Sequence, residues 1–224
     1  MKVRGVIWDM DGTILDTLED LWASTCAALS QCGMPERSRE EVRAFVGNGL
    51  RVLMEKAVPA GTSPQDLEKA MEAFVAHYAL HSRDRTCPYP GILKTLLRLK
   101  EEGIRQGVVS NKVDFAVQQL SRDFFPGLLE VAVGDAQGRR RKPAPDSVWH
   151  AMELLGLSPE ETVYIGDSEV DVETARNAGI PSLLVTWGFR TREQLLAAGA
   201  TRLAEAPEEI PRILRFLETE GSGE

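Results

Sequence analysis

The sequence has no run of about 18 apolar residues of the kind that crosses a bilayer as a helix. Its start, MKVRGVIWDMDG, also lacks the longer apolar stretch of a signal peptide, so a soluble cytoplasmic protein without a membrane partner is expected. Cysteine is scarce: Cys26, Cys32 and Cys87 are odd in number and lack metal-ligand spacing, which fits reduced thiols better than a disulfide framework. Positive charge is short as well, with 26 Lys and Arg against 34 Asp and Glu and a net charge of -8. That balance argues against a nucleic-acid partner, because affinity for the phosphate backbone rests on clustered cations. Repeats and low-complexity segments are missing too, apart from the polar tail ETEGSGE, which is expected to fray.

What the chain does have is alternation. Short apolar runs, GVIWD, IRQGVVSN, LEVAVGD, TVYIGD and PSLLVTW, recur with helical patterns between them, as strands buried on both faces of a parallel sheet require. In the pattern GILKTLLRLKEEG, Ile92, Leu96, Leu97 and Leu99 form an apolar stripe and Gly103 a stop, and DSVWHAMELLG ends on Gly156. One region breaks the alternation. From about Asp16 to Asp84 only helical patterns occur, interrupted at CGMPERS, VGNGL and VPAGTSPQ, with Ser63 placed to cap the last helix. The expected architecture is α/β: a Rossmann-like parallel sheet flanked by helices, formed by residues 1–15 and 85–224, with an inserted small helical domain over 16–84.

In open α/β sheets, ligands bind at the carboxyl ends of the strands. Asp9 and Asp11 lie there after GVIW, Ser110 and Asn111 after GVV, and Asp167 and Asp171 after VYIG, while Lys142 follows in RRRKPAP. In a parallel sheet these groups converge. Carboxylates about 4 Å apart repel by roughly 4 kcal/mol at an effective dielectric of 20, so a cation is expected among them. An all-oxygen donor set points to Mg²⁺, which usually bridges to a substrate phosphate. Asp9 then serves as an ionised nucleophile, and Asp11, two residues on, carries the leaving-group proton. Gly12 permits an unusual backbone angle and Thr13 a hydroxyl to fix the loop, while Ser110 and Lys142 can hold phosphoryl oxygens.

The segments DMDGTILDT, VVSNK, RKPAP and GDSEVD resemble, in order, the four motifs of the haloacid dehalogenase superfamily. The resemblance implies that Asp9 forms an aspartyl-phosphate and ligates Mg²⁺, and that Asp11 is the general acid/base and offers its backbone carbonyl to the metal. It further implies that Ser110, Asn111 and Lys142 bind phosphate, that Asp167 ligates the metal, and that Asp171 supports the site from behind. The helical insertion is similar to the family's small helical cap. FVGNGLRVLMEKAV, CPYPG, VVSNK and GDSEVDVETARNAGI most resemble phosphoglycolate phosphatases, although Val170 stands where many of those have asparagine.

The implied activity is Mg²⁺-dependent hydrolysis of a small phosphorylated metabolite, 2-phosphoglycolate first among candidates, by a monomer or homodimer. A phosphosugar mutase of the β-phosphoglucomutase type shares the motifs and stays open as the alternative. In the insertion, Arg51 of GNGLR is a candidate for a substrate carboxylate. Arg139, Arg140 and Arg141 read as a solvated charge run, and His77 and His81 as part of a helix surface despite their i, i+4 spacing.

Overall fold

The computed structural model describes residues 2–220. Of the tail ETEGSGE, the first three residues belong to the last helix and the remainder lies outside the described residues. In chain order the elements are β1 (Gly5–Trp8), β2 (Leu15–Asp16), α1 (Leu18–Gln31), α2 (Arg39–Phe45), α3 (Gly49–Ala57), α4 (Pro64–His81), β3 (Cys87–Pro88) and α5 (Ile92–Glu101). They continue as β4 (Arg105–Val113), α6 (Asp114–Phe124), β5 (Val131–Asp135), α7 (Asp146–Leu155), β6 (Thr162–Gly166), α8 (Glu169–Ala178), β7 (Ser182–Val185), α9 (Arg192–Ala197), β8 (Leu203–Ala204) and α10 (Ile210–Glu220).

The chain divides into two compact units, one of residues Met1–Leu15 with Pro88–Glu224 and one of Asp16–Cys87. The first is built on a six-stranded sheet in the order β5-β4-β1-β6-β7-β8, parallel throughout. Every residue of β1 and β6 is buried, which is why these strands read as continuous apolar runs rather than alternating ones. Helices cover both faces. Ile92, Leu96 and Leu99 turn one side of α5 into the sheet, while Val148, Ala151, Met152 and Leu155 do the same for α7. Gly156 closes α7 in the left-handed region at φ 60°, and the Leu157 N–H returns to the Met152 carbonyl at 2.9 Å. The sheet carries a buried polar link in which Gln106 accepts from Trp8 Nε1 at 3.3 Å and donates to the Leu96 carbonyl at 2.8 Å.

Five strands match the five apolar runs of the sequence. The sixth, β8, has two residues, and β2 and β3 form a separate two-stranded sheet equally short. Segments of that length carry no periodicity, so their pairing depends on what lies beside them.

The second unit holds α1 to α4. Ser63 caps α4 by accepting from the Asp66 N–H at 3.1 Å, and Ser38 and Glu41 form a reciprocal cap on α2. Asp20 is buried on α1 and accepts from the backbone N–H groups of Arg85 and Thr86, at 2.8 Å for the shortest. His77 Nδ1 sits 2.9 Å from Ser24 Oγ, and His81 pairs with Asp84. Cys26, Cys32 and Cys87 are unpaired. No helix among the described residues is long and apolar enough to cross a membrane.

Candidate active site

The order of the sheet sets where a site can form. From β1 the chain order runs outward to β4 on one side and to β6 on the other, and this reversal leaves a crevice beyond the carboxyl ends of the three strands. Asp9 follows β1 directly. The backbone then folds back on itself: the Met10 carbonyl accepts from the N–H groups of Thr13, Ile14 and Leu15 at 3.3, 3.1 and 3.0 Å. Gly12 makes this possible at φ 89°, and no larger residue fits, because a Cβ there would lie 2.4 Å from Asp167 Oδ2.

Lys142 reaches into the crevice and joins what the strands bring. Its ammonium lies 2.6 Å from Asp9 Oδ1, 2.8 Å from Asp171 Oδ1 and 2.8 Å from the Tyr164 hydroxyl, and it is 5% exposed. Asp171, at 1% exposure, is saturated by donors. Its Oδ1 also accepts from Tyr164, and its Oδ2 accepts from the backbone N–H groups of Asp167 and Ser168 and from Ser168 Oγ at 2.6 Å. Asp167 Oδ2 accepts from the Phe189 N–H at 2.6 Å, while Thr13 Oγ1 stands between Asp167 Oδ1 at 3.4 Å and Asp9 Oδ2 at 3.5 Å.

Oxygens of Asp9, Asp167 and Asp171 lie within 4.8 Å of one another. Three carboxylates against one ammonium leave two formal negative charges in a buried space. Burial raises the Asp9 carboxyl to about 7 against the pull of Lys142, with the charge of Asp171 adding to the rise. Burial, then the charges of Asp171 and Asp9, hold Asp167 well above the usual carboxylate range. Asp171 goes the other way. Burial opposes its ionisation, but Lys142 and the hydrogen bonds of Ser168 and Tyr164 overcome that and hold it low. Lys142 itself is raised well above its ordinary value, since Asp171 and Asp9 outweigh the cost of burying the ammonium. Asp171 is stabilised by the lysine and by four further donors, whereas Asp9 and Asp167 are left under-compensated. A divalent cation with oxygen preference fits that deficit in charge and in donor type.

Asp11 lies apart from this cluster, with its Oδ1 3.1 Å from Lys112 Nζ. Ser110 is buried, and its Oγ accepts from the Lys112 N–H at 3.1 Å. The Asn111 amide donates to the Lys142 carbonyl at 3.0 Å, so it fixes the backbone of the lysine. Arg140 pairs with Asp146 and Arg141 with Asp135, so both are engaged in local ion pairs. Arg51, on α3 of the helical unit, forms a partly exposed ion pair with Glu68 at 2.6 Å. Reading the sequence missed Tyr164 and Lys112. The first is hidden as one apolar-looking strand residue, and the second follows Ser110 and Asn111 as an ordinary charge.

The family model described as haloacid dehalogenase-like hydrolase matches residues 6–185, most of the chain. The chain belongs to the haloacid dehalogenase-like hydrolases. Among relatives of this hydrolase, a phosphoglycolate phosphatase of Aquifex aeolicus is 31% identical over 192 residues, covering 84% of this chain and 86% of the relative. An N-acetylmuramic acid 6-phosphate phosphatase of Pseudomonas aeruginosa is 32% identical over 216 residues, covering 96% of each. In three dimensions, the crystal structure of a Lactobacillus delbrueckii subsp. bulgaricus protein predicted to be a phosphoglycolate phosphatase superposes with a TM-score of 0.91. That pair is 35% identical, with 96% of this chain and 99% of the other covered.

The carboxylate cluster makes a testable statement about stability. Because the folded-state carboxyls of Asp9 and Asp167 are raised, the native state holds more protons than the unfolded one above the ordinary carboxylate range. Stability of the metal-free hydrolase should fall as pH rises from about 4, through about 7 for Asp9. Added Mg²⁺ should therefore raise Tm more at pH 8 than at pH 5.5. Asp167→Asn removes one of the crowded charges and can still accept from the Phe189 N–H. Its Tm in EDTA is expected to equal or exceed that of the wild type at pH 8, with little further rise on adding Mg²⁺. An equal Mg²⁺-induced rise in both proteins would remove Asp167 from the cation site.

Proposed function

We propose that this hydrolase is a cytoplasmic Mg²⁺-dependent phosphatase that cleaves a small phosphomonoester through a phosphorylated Asp9, with 2-phosphoglycolate the leading substrate. The observation that carries the reading is the Lys142 ammonium held between Asp9 and Asp171 beside Asp167, at the crevice of the sheet. Asp9, the backbone carbonyl of Asp11 and Asp167 are the proposed cation ligands. When bound, the cation supplies two positive charges, which offset the carboxylates and the phosphoryl oxygens.

In the first step a carboxylate oxygen of Asp9 forms a bond to phosphorus and the bond from phosphorus to the ester oxygen breaks. Asp11 gives its proton to the departing oxygen, so the product leaves as an alcohol. In the second, water attacks the phosphorus of the aspartyl-phosphate, Asp11 takes the water's proton, and the bond to Asp9 breaks to release inorganic phosphate. Lys142 and the Ser110 hydroxyl bind the phosphoryl oxygens; Ser110 already accepts from the Lys112 N–H, so its hydrogen remains to donate. Asp171 does no bond making. It keeps Lys142 extended toward Asp9, and Asn111 holds the backbone of that lysine.

The choice of substrate class rests on the two relatives. A phosphoglycolate and an N-acetylmuramic acid 6-phosphate are different molecules, but each is a phosphomonoester that also carries a carboxylate. Phosphate release should be measured with Mg²⁺ across 2-phosphoglycolate, N-acetylmuramic acid 6-phosphate, β-glucose 1-phosphate, pyrophosphate and nucleoside monophosphates. The carboxylate-bearing esters are expected to lead in kcat/KM, with 2-phosphoglycolate first. Isomer formation from β-glucose 1-phosphate without net phosphate release would replace this reading by the mutase.

A further inference from the structure

The family match ends at Val185, and the loop that begins at Thr186 and runs to α9 makes contacts that none of the four motifs accounts for. Its first five residues, Thr186–Arg190, each meet something fixed. Thr186 donates its N–H to the Ala204 carbonyl at 3.0 Å, tying the base of the loop to β8. Trp187 Nε1 donates to the Thr13 carbonyl at 3.0 Å. Gly188 lies so close to Asp167 that an added Cβ would stand 2.4 Å from Asp167 Cβ and 2.4 Å from the Gly12 carbonyl oxygen. Phe189 donates its N–H to Asp167 Oδ2, and Arg190, 8% exposed, forks onto Glu169 at 2.8 and 3.1 Å. Glu169 opens α8, two residues beyond Asp167.

These attachments converge on two objects, the Asp167 carboxylate and the loop that carries Asp9. Thr13, whose carbonyl Trp187 holds, is the residue whose hydroxyl stands between Asp9 and Asp167. We propose that Thr186–Arg190 is a clamp that fixes Asp167 and Asp9 relative to each other and so sets the affinity for the divalent cation, with Trp187 its positioning residue. The inference rests on the Mg²⁺ reading of the site given above. A cation held by few protein ligands needs those ligands preplaced; a ligand free to wander binds at the cost of ordering it. The clamp acts before chemistry, so its loss weakens cation binding and spares the turnover of the cation-loaded enzyme.

The test is Mg²⁺ binding measured by calorimetry on the full chain, with kcat at saturating Mg²⁺ and metal-free Tm recorded beside it. Trp187→Phe keeps the ring and removes the donor. It should raise the Mg²⁺ Kd about fivefold, as expected for one lost hydrogen bond. Its kcat at saturating Mg²⁺ should stay within about twofold of wild type. Trp149→Phe is the control, because Trp149 Nε1 likewise donates to a carbonyl, that of Ala178 at 3.2 Å, on an element outside the clamp. It should leave the Kd unchanged. Arg190→Lys keeps the charge and gives up the fork, and should weaken binding in the same direction. If both clamp variants bind Mg²⁺ as the wild type does, or if Trp149→Phe shifts the Kd as much as Trp187→Phe, the clamp is wrong. A wild-type protein that binds no Mg²⁺ would overturn the cation reading itself, and that result is distinguishable because it precedes any variant.

Discussion

Asp9→Asn should release phosphate at least about 10⁴-fold more slowly than the wild type, the scale on which loss of a nucleophile acts in other covalent enzymes. The substitution changes almost nothing else. An asparagine oxygen can still accept from Lys142, which lies 2.6 Å from Asp9 Oδ1, and Thr13 remains in place. What disappears is the anionic oxygen that forms the bond to phosphorus. Folding should not suffer, because Asp9 is a carboxyl that burial has already raised to about 7, with only part of a lysine's charge to support it. The metal-free Tm of the variant should therefore equal or exceed that of the wild type. Phosphate release by steady-state assay, with Tm alongside, checks both halves. A variant that folds and retains a tenth of the activity would remove Asp9 as the nucleophile.

Lys142→Met should damage both activity and stability. The lysine is buried, and its ammonium meets Asp9, Asp171 and Tyr164 at 2.6 to 2.8 Å. Methionine fills a similar volume and supplies no charge, so two buried carboxylates lose their cation. Breaking a buried ion pair from one side costs about 3–5 kcal/mol. In a chain of this size that is a fall in Tm of roughly 6–20 °C. The sign with pH follows from Asp171. In the wild type its folded pKa is depressed, so its stabilising contribution is present above the ordinary carboxylate range and lost in acid as pH falls through the lowered value. Without Lys142 the opposition of burial to ionisation is no longer overcome, so Asp171 in the variant should titrate above the ordinary carboxylate range. The variant then loses stability as pH rises from about 4, and its deficit against wild type should be large at pH 7–8 and shrink toward pH 4. Tm measured across that range in EDTA is the test. A deficit that stays flat with pH would mean the lysine acts by packing rather than by charge.

The two variants separate two uses of charge at one place. Asp9 is a carboxylate kept poorly compensated, which makes it reactive and a ready partner for a cation. Asp171 is fully compensated, which makes it a strut. Both lie beside Lys142, and the difference comes from hydrogen bonds: Asp171 receives them from Tyr164, Ser168 and two backbone N–H groups in addition to the lysine. A buried polar network of this kind is costly to disturb, since every member depends on the rest.

Much of this was legible in the sequence because the motifs are local. An apolar strand followed by Asp-x-Asp-Gly-Thr tells where the chain turns and what stands at the turn, and parallel alternation implies that such turns share one edge of a sheet. The five longer strands follow from local apolar runs, and the meeting of Asp9, Lys142 and Asp167 from the expectation that strand ends share one edge of a parallel sheet. The strand order, with its reversal at β1, was not legible in the sequence. Neither were β8 and the ribbon of β2 and β3, because two residues have no period. Nor were the contact of Lys142 with both Asp9 and Asp171, the pairing of Lys112 with Asp11, or the hold of Trp187 on the Thr13 carbonyl legible there. Those depend on side chains brought together from strands and loops far apart in the chain. The sequence by itself determined which chemical groups are supplied and at which strand ends; the tertiary structure alone decided which of them share a proton, a charge or a hydrogen bond, because those interactions act over about 3 Å in space and leave no mark on spacing along the chain.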